Sequence, residues 1–212
     1  MSESNYLKLA RTARSEGNSE DAKRYYDRVR EEDPSSAEAK YFYAFYALHE
    51  GTNGELPSRF LNLCKVVLTS VKMVSESNDS TEDKVKAVAE IVASFTPETW
   101  AENRYMNHKN HETKVGDKFV EVFDFKSITT CGKQGMMTLK ELGDLVASLF
   151  DSVEGKVVAA IAWKEYVSLS QKWYSWAVKG DAEAYAAKIK EVVPGYEMPK
   201  KAGCISLADS KE

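Results

Sequence analysis

The amino-acid sequence predicts an all-α protein made of antiparallel helical hairpins. Apolar residues recur at the 3.6-residue spacing of a helix along nearly the whole chain, from Tyr6 to Val192. Capping residues and breaks that contain glycine or proline separate these apolar stripes. Together the stripes and breaks indicate about ten helices, packed as an array or a bundle.

The first two helices form the clearest hairpin. A helix of about Glu3 to Ser15 carries apolar residues at i, i+3, i+4 and i+7. Gly17 and Asn18 then predict a tight turn, because both residues tolerate a left-handed backbone. A second helix covers Ser19 to Glu32, and Asp33-Pro34 ends it because proline disfavours the helical conformation of the preceding residue.

This hairpin resembles a tetratricopeptide repeat (TPR), a helical pair that stacks on others and holds other proteins. Ala10 and Ala22 allow the two helices to approach closely, and Tyr26 fills the space beside them. The resemblance covers about residues 1–51, since a second copy that starts near Ala37 continues only to Gly51. The residues that follow the spacing of the family are Tyr6, Leu9, Ala10, Ala13, Gly17, Ala22, Tyr26, Val29 and Pro34.

A single repeat cannot bury its own apolar face, so the rest of the chain must cap or enclose it. We therefore expect a TPR-like hairpin plus one helix over residues 1–52 and a helical bundle that continues the array over 53–196. Residues 197–212 are expected to form a loosely ordered tail. Ser35 with Glu38 is the expected capping box of the third helix.

The middle of the chain continues the helical period. Pro57 suits the first turn of a helix, and a polar break at Ser75–Ser80 separates that helix from the next. Thr96-Pro97 predicts the cap and first residue of a further helix. Phe119–Phe125 alternates as a strand would, but no second strand-like run is available to pair with it, so we predict a helix there.

The last third contains the longest predicted helix. A loop over Thr130–Met137, with two glycines, is expected to precede a capping box at Thr138-Leu-Lys-Glu141. A long helix then covers about Glu154 to Val178, and Gly180-Asp181 turns the chain into a last helix.

Composition and charge exclude several classes of function. The net charge of −4 provides no basic surface for nucleic acid. The N-terminus lacks the features of a signal peptide, and the longest apolar run, Val157–Trp163, is too short to span a membrane. The three cysteines, Cys64, Cys131 and Cys204, lie far apart and are odd in number, which indicates reduced thiols in a cytoplasmic protein.

Two places could carry chemistry. His108 and His111 lie three residues apart beside Glu112, so both imidazoles could face one metal if the segment is a helix. Their order is not that of a zinc protease, and a solvated helix end is the favoured explanation, because short motifs often match by chance. Cys131, next to Gly132, could be a reactive thiol in a loop, but no activating base is evident. A small-molecule pocket near these residues is one alternative function, although we expect no metal and no cofactor.

Two further patterns have ordinary structural explanations. Gly132-Lys-Gln-Gly135 lacks the full spacing of a phosphate-binding loop and is better explained as a turn. The aromatic residues of the long helix are spaced as core residues rather than as a ligand stack. These aromatic residues are Trp163, Tyr166, Trp173 and Tyr174.

The TPR resemblance implies a non-enzymatic scaffold or adaptor that binds a protein or peptide on its inner helix face. We define the inner face as Leu7, Arg11 and Arg14 of the first helix with Tyr41, Phe45 and Leu48 of the third. Arginine beside aromatic rings is typical of residues that dominate binding at protein interfaces.

Two qualifications apply to this face. The family's clamp for C-terminal carboxylates has lysine and asparagine where this chain has Leu7 and Arg11, so that ligand is not implied. Later helices of the same chain could instead cover Tyr41, Phe45 and Leu48. A self-associating structural protein, and hence a homo-oligomer, is a further alternative.

Overall fold

The computed structural model describes residues 5–50, 55–108, 111–115, 118–122, 125–173 and 181–200, with side chains described outside 100–129 and 173. The prediction of an all-α array is confirmed, with one short β-hairpin in addition. The elements of the described part are α1 (Asn5–Ser15), α2 (Ser19–Glu32), α3 (Ala37–Leu48), α4 (Leu56–Glu76), α5 (Thr81–His108), β1 (His111–Val115), β2 (Lys118–Val122), α6 (Phe125–Leu149), α7 (Val153–Trp173) and α8 (Asp181–Val192).

The first hairpin forms where the sequence predicts it. Gly17 has a positive φ of 74°, and the Asn18 side chain caps α2 by accepting a hydrogen bond of 3.2 Å from the backbone N–H of Asp21. Ala10 and Ala22 are fully buried, which is consistent with a close approach of α1 and α2.

The predicted capping box of α3 is wrong by one residue. Ser36 is the cap, and its hydroxyl oxygen accepts a hydrogen bond of 3.3 Å from the backbone N–H of Ala39. Ser35 instead donates its backbone N–H to the Asp33 carboxylate at 3.0 Å. Glu38 is therefore not part of a cap and is available for contacts with other helices.

The predicted helix start at Thr96-Pro97 is also wrong, because α5 continues through Pro97. Proline at this position leaves the carbonyl of Ala93 without its usual helical donor. The Thr96 hydroxyl donates to the carbonyl of Val92 at 3.1 Å and lies 3.4 Å from that of Ala93. The Thr96 hydroxyl thus partly replaces the N–H group that Pro97 lacks, and the helix continues past this residue.

The helix predicted over Phe119–Phe125 is wrong for residues 119–122. Residues 118–122 form β2, which pairs with β1 in antiparallel register, with His111 opposite Val122 and Val115 opposite Lys118. The sequence of β1 is His-Glu-Thr-Lys-Val, which has too little apolar alternation to indicate a strand by itself. The strand that pairs with β2 is therefore β1, whose polar sequence did not indicate a strand.

The loop predicted over Thr130–Met137 lies inside α6. A Cβ atom added to Gly135 would stand 2.7 Å from the Cζ atom of Phe60 in α4, so this glycine allows close helix packing rather than a turn. Thr138 is not a cap, because its hydroxyl is inside the helix and donates to the carbonyl of Gln134 at 2.8 Å. These corrections reduce the expected ten helices to the eight found in the described ranges.

The helices share one hydrophobic core that extends from Ala10 to Tyr196. Consecutive helices pack from α1 to α4, after which α4 packs on α6, α6 on α7 and α7 on α8. Helix α5 contacts α4, α6 and α7 and also reaches α3. No helix in the described ranges is both long and apolar enough to cross a membrane.

Candidate functional site

The structure separates the six inner-face residues into a buried and an accessible group. Tyr41 and Leu48 are fully buried, so the alternative of internal packing holds for these two side chains. Arg11 is half exposed, whereas Leu7, Arg14 and Phe45 are partly buried. The accessible residues are linked through Glu38 and Phe42, which the sequence did not indicate.

Glu38 of α3 is the central acceptor of this region. The Arg11 guanidinium donates to it twice, from Nε to Oε1 at 3.0 Å and from Nη2 to Oε2 at 2.6 Å. This two-point geometry is the strongest arrangement of an arginine with a carboxylate, and it fixes the plane of the guanidinium. The hydroxyl of Tyr26 in α2 also donates to Oε1 at 2.9 Å. One carboxylate therefore joins α1, α2 and α3.

Arg14 is held by an aromatic ring and a second carboxylate. Its guanidinium carbon lies 4.1 Å from the centre of the Phe42 ring, and Nη2 donates to Oε2 of Glu90 at 2.8 Å. Burial alone would lower the pKa of Arg14, but Tyr26, Glu90 and Glu38 raise it above its ordinary value, so the side chain stays charged. Its Nη1 atom is buried and has no hydrogen-bond partner in the described part of the chain.

Helix α5 contributes a row of polar side chains along one edge of this surface. Glu90, Ser94 and Glu98 lie at i, i+4 and i+8, which places them on one helix face. We call their three contacts the α5 seam: Arg14 to Glu90 at 2.8 Å, Tyr41 Oη to Ser94 Oγ at 3.0 Å, and His49 Nε2 to Glu98 Oε2 at 3.2 Å. The regular spacing was visible in the sequence, but its partners lie more than 40 residues away.

The α3 aromatic residues form a rigid cluster beside the arginines. Phe45 packs edge-on against Phe42, Tyr46 and His49, with ring centres 5.2 to 6.2 Å apart. Such edge-to-face contacts restrict each ring to a narrow range of orientations. Phe45 therefore presents a partly exposed aromatic ring that contacts Phe42, the ring on which the Arg14 guanidinium lies.

Charged, hydroxyl and aromatic groups are held together in this region. The His49 imidazole pairs with the mostly buried carboxylate of Glu98. The nearby Ser94 hydroxyl donates to the backbone carbonyl of Glu90 at 2.9 Å and also forms a hydrogen bond with the Tyr41 hydroxyl. Planar cations and rings whose orientation is already fixed lose little entropy when a partner binds. The surface is suited to contact with another protein.

The other predicted positions do not form a site with this surface. Cys131 is inside α6 and only 3% exposed, with Sγ 4.0 Å from the carbonyl of Pro57, so it is not an accessible loop thiol. His108 ends α5 and His111 begins β1, so the two residues do not share a helix as predicted. The described part of the chain holds no group of three or more metal-binding side chains.

The structure contradicts the turn predicted at the two glycines, whereas it agrees with core packing of the described aromatic residues. Gly132-Lys-Gln-Gly135 lies within α6 and is neither a phosphate-binding loop nor the predicted turn. Trp163 and Tyr166 are buried and pack edge-on against Tyr185 of α8, as core residues do. The side chains of Trp173 and Tyr174 lie outside the description.

No protein-family profile, curated protein or solved structure matched the chain. The basis for a function is therefore the arrangement of its own residues and the resemblance of its first hairpin to a TPR unit.

Proposed function

We propose that this protein is a non-enzymatic, TPR-like adaptor that binds a segment of a partner protein through the accessible part of its inner face. The contact residues are Arg11, Arg14 and Phe45, with Leu7 at one edge, while Tyr41 and Leu48 form the supporting layer beneath them. A cytoplasmic location is part of the proposal, and the free thiols of the described cysteines support it.

One observation carries the proposal. The two arginines are held in fixed orientations by Glu38, Glu90 and Phe42 and remain partly accessible, and the partly exposed Phe45 packs on Phe42. Arginine and aromatic side chains provide a large contact area, and fixing them in advance reduces the entropy lost on binding.

The α5 seam suggests how wide the binding surface is. Because Glu90 and Glu98 contact α1 and α3 directly, α5 limits the inner face on one side. The remaining surface is suited to a narrow segment, such as one helix or extended strand of a partner, rather than to a whole globular domain.

The proposal can be tested by capturing proteins from a cell extract on immobilised chains. Arg11→Gln removes a half-exposed inner-face cation, whereas Arg28→Gln removes an exposed cation of α2 that pairs with Glu31. We expect the first change to reduce capture of a specific partner at least about fivefold, because arginine anchors often contribute more than 1 kcal/mol. The Arg28 variant should capture that partner as the unmodified chain does.

Equal capture by both variants would contradict binding at the inner face. Capture of the chain by itself, with a concentration-dependent elution volume in gel filtration, would favour the alternative of a self-associating structural protein. Equal melting temperatures of the two variants are required for either conclusion.

A further inference from the structure

A cleft lies between α2, α3 and α4, on the side of α3 away from the inner face. Tyr43 and Phe45 are two residues apart on α3, a rotation of about 200° around the helix axis, so they point to opposite sides. The cleft has a volume of about 350 Å³, within the range of small ligand sites. We call it the outer cleft, and its lining residues are Arg30, Pro34, Lys40, Tyr43, Ala44, Asn62 and Val66.

The charges around this cleft are unequally compensated. The Arg30 guanidinium lies 3.9 Å from the centre of the Tyr43 ring and pairs with Asp27 at 3.2 Å. Lys40 also lines the cleft, but it forms no ion pair with any residue in the described ranges, and no acidic residue lines the cleft. The cleft thus holds one uncompensated positive charge on a chain whose net charge is −4.

The cleft also contains unused hydrogen-bond donors. Besides the Lys40 ammonium group, neither the Tyr43 hydroxyl nor the Asn62 amide has a hydrogen-bond partner within the described part of the chain. All three residues line the cleft, and each side chain carries a hydrogen-bond donor. The other surfaces are apolar, because Pro34, Ala44 and Val66 contribute the remaining wall.

We propose that the outer cleft binds an acidic side chain of a partner protein, with an apolar neighbour of that side chain on the wall. A carboxylate carries the single negative charge that matches one uncompensated lysine, and its oxygens can accept from the ammonium, hydroxyl and amide groups. A phosphate group would bring close to two charges to a site with one free cation. This second site is separate from the inner face and does not depend on the proposed function there.

Two capped tripeptides serve as probes. Acetyl-Leu-Glu-Leu-amide and acetyl-Leu-Gln-Leu-amide have no terminal charges and differ only in the side-chain carboxylate. Nuclear magnetic resonance titration of the isotope-labelled full chain should show saturable shifts around Lys40, Tyr43 and Asn62 with the glutamate peptide. The glutamine peptide should bind up to about fivefold more weakly, as expected for loss of one partly exposed ion pair.

Two lysine variants separate this site from general charge attraction. Lys40→Gln should weaken binding of the glutamate peptide about fivefold, whereas Lys86→Gln, on an exposed part of α5, should leave it unchanged. The proposal is overturned if both variants act alike, if the two peptides bind equally, or if the shifts fall on the inner face. Preference for acetyl-Leu-Gln-Leu with a free C-terminal carboxylate would likewise contradict an internal acidic side chain as the ligand.

Discussion

At the residue scale, Glu38 determines how the inner face is arranged. Its carboxylate accepts from Arg11 and from Tyr26, so that three helices meet at one side chain. Glu38 is 21% exposed and Arg11 is 49% exposed, which means that water screens part of their attraction. The main effect of this contact is to orient Arg11, and its contribution to stability is modest.

Replacing Glu38 by glutamine tests this role. Glu38→Gln keeps the shape of the side chain but removes the charge that holds Arg11 and accepts from Tyr26, so we expect the free energy of unfolding to fall by about 1 kcal/mol. The control is Glu31→Gln, since Glu31 pairs with Arg28 while both side chains are 58% exposed, and it should change stability by less than about 0.5 kcal/mol. Urea denaturation measures both, and equal effects would mean that Glu38 is only another surface charge.

Tyrosine ionisation gives a second test at this scale. Burial raises the pKa of Tyr166 to about 12, with help from Asp181 and Asp144, and burial likewise raises the pKa of Tyr26 and Tyr41 well above the ordinary value of about 10. A raised pKa means that the fold favours the neutral phenol. The neutral phenol therefore contributes fully to the free energy of unfolding below about pH 10, and this contribution is lost as the pH rises through the folded-state pKa.

We therefore expect alkaline titration followed by tyrosinate absorbance to show a late group of tyrosines. Tyr26, Tyr41 and Tyr166 should ionise only above about pH 10, together with loss of helical circular dichroism. Tyr26→Phe should reduce the late group by one ring. A single transition near pH 10 with retained helix would contradict the burial of these rings.

At the element scale, close helix contacts depend on small residues. Gly143 of α6 faces the Trp163 indole of α7, and an added Cβ atom would stand 2.4 Å from two of the indole atoms. Trp163 is 6% exposed, so the ring has little room to move. Gly143 therefore allows α6 and α7 to pack closely, just as Gly135 allows α6 to pack closely against Phe60 of α4.

Gly143→Ala should therefore destabilise the protein. Alanine favours a helix by about 1 kcal/mol over glycine, but overpacking against an enclosed indole costs about 1–3 kcal/mol. Because the contacts are this short, we expect the free energy of unfolding to fall by a net amount of about 1–2 kcal/mol. Gly195→Ala, where no atom lies within 4 Å, is the matched control and should be nearly neutral. In a Trp163→Leu background the penalty of Gly143→Ala should disappear, and its persistence there would show that the indole is not its cause.

The first turn was predictable from local sequence, whereas the missed elements had both local and distant causes. The α1–α2 turn was predicted because Gly17 and Asn18 act on their immediate neighbours. Pro97 was mistaken for a helix start, although the hydroxyl of Thr96 compensates for its missing N–H within the same helix. Gly135 was mistaken for a turn residue, although it makes room for the Phe60 ring of another helix. Strand β1 was missed because its polar residues carry no periodic signal.

At the scale of the whole molecule, α5 connects the first hairpin to the rest of the array. The α5 seam joins Arg14 of α1 and His49, the residue that follows α3, to a helix that also packs on α4, α6 and α7. Arg11, Arg14 and Phe45 could be named in advance from the register that the TPR resemblance implies, and their role in binding stays a prediction. Glu38 and the α5 residues could not, since their partners depend on how distant segments pack.

The most direct test of the account is site-specific photo-cross-linking to a partner captured from cell extract. A photoreactive benzoyl-phenylalanine would replace Phe45 on the inner face or, as the control, Tyr25, a similarly half-buried aromatic residue of α2 that stacks on Tyr6. We expect a covalent product with the partner from position 45 and none from position 25. Cross-linking from position 25 alone, or from position 45 only to a second copy of the chain, would contradict the assignment of the inner face as a binding surface for a partner protein.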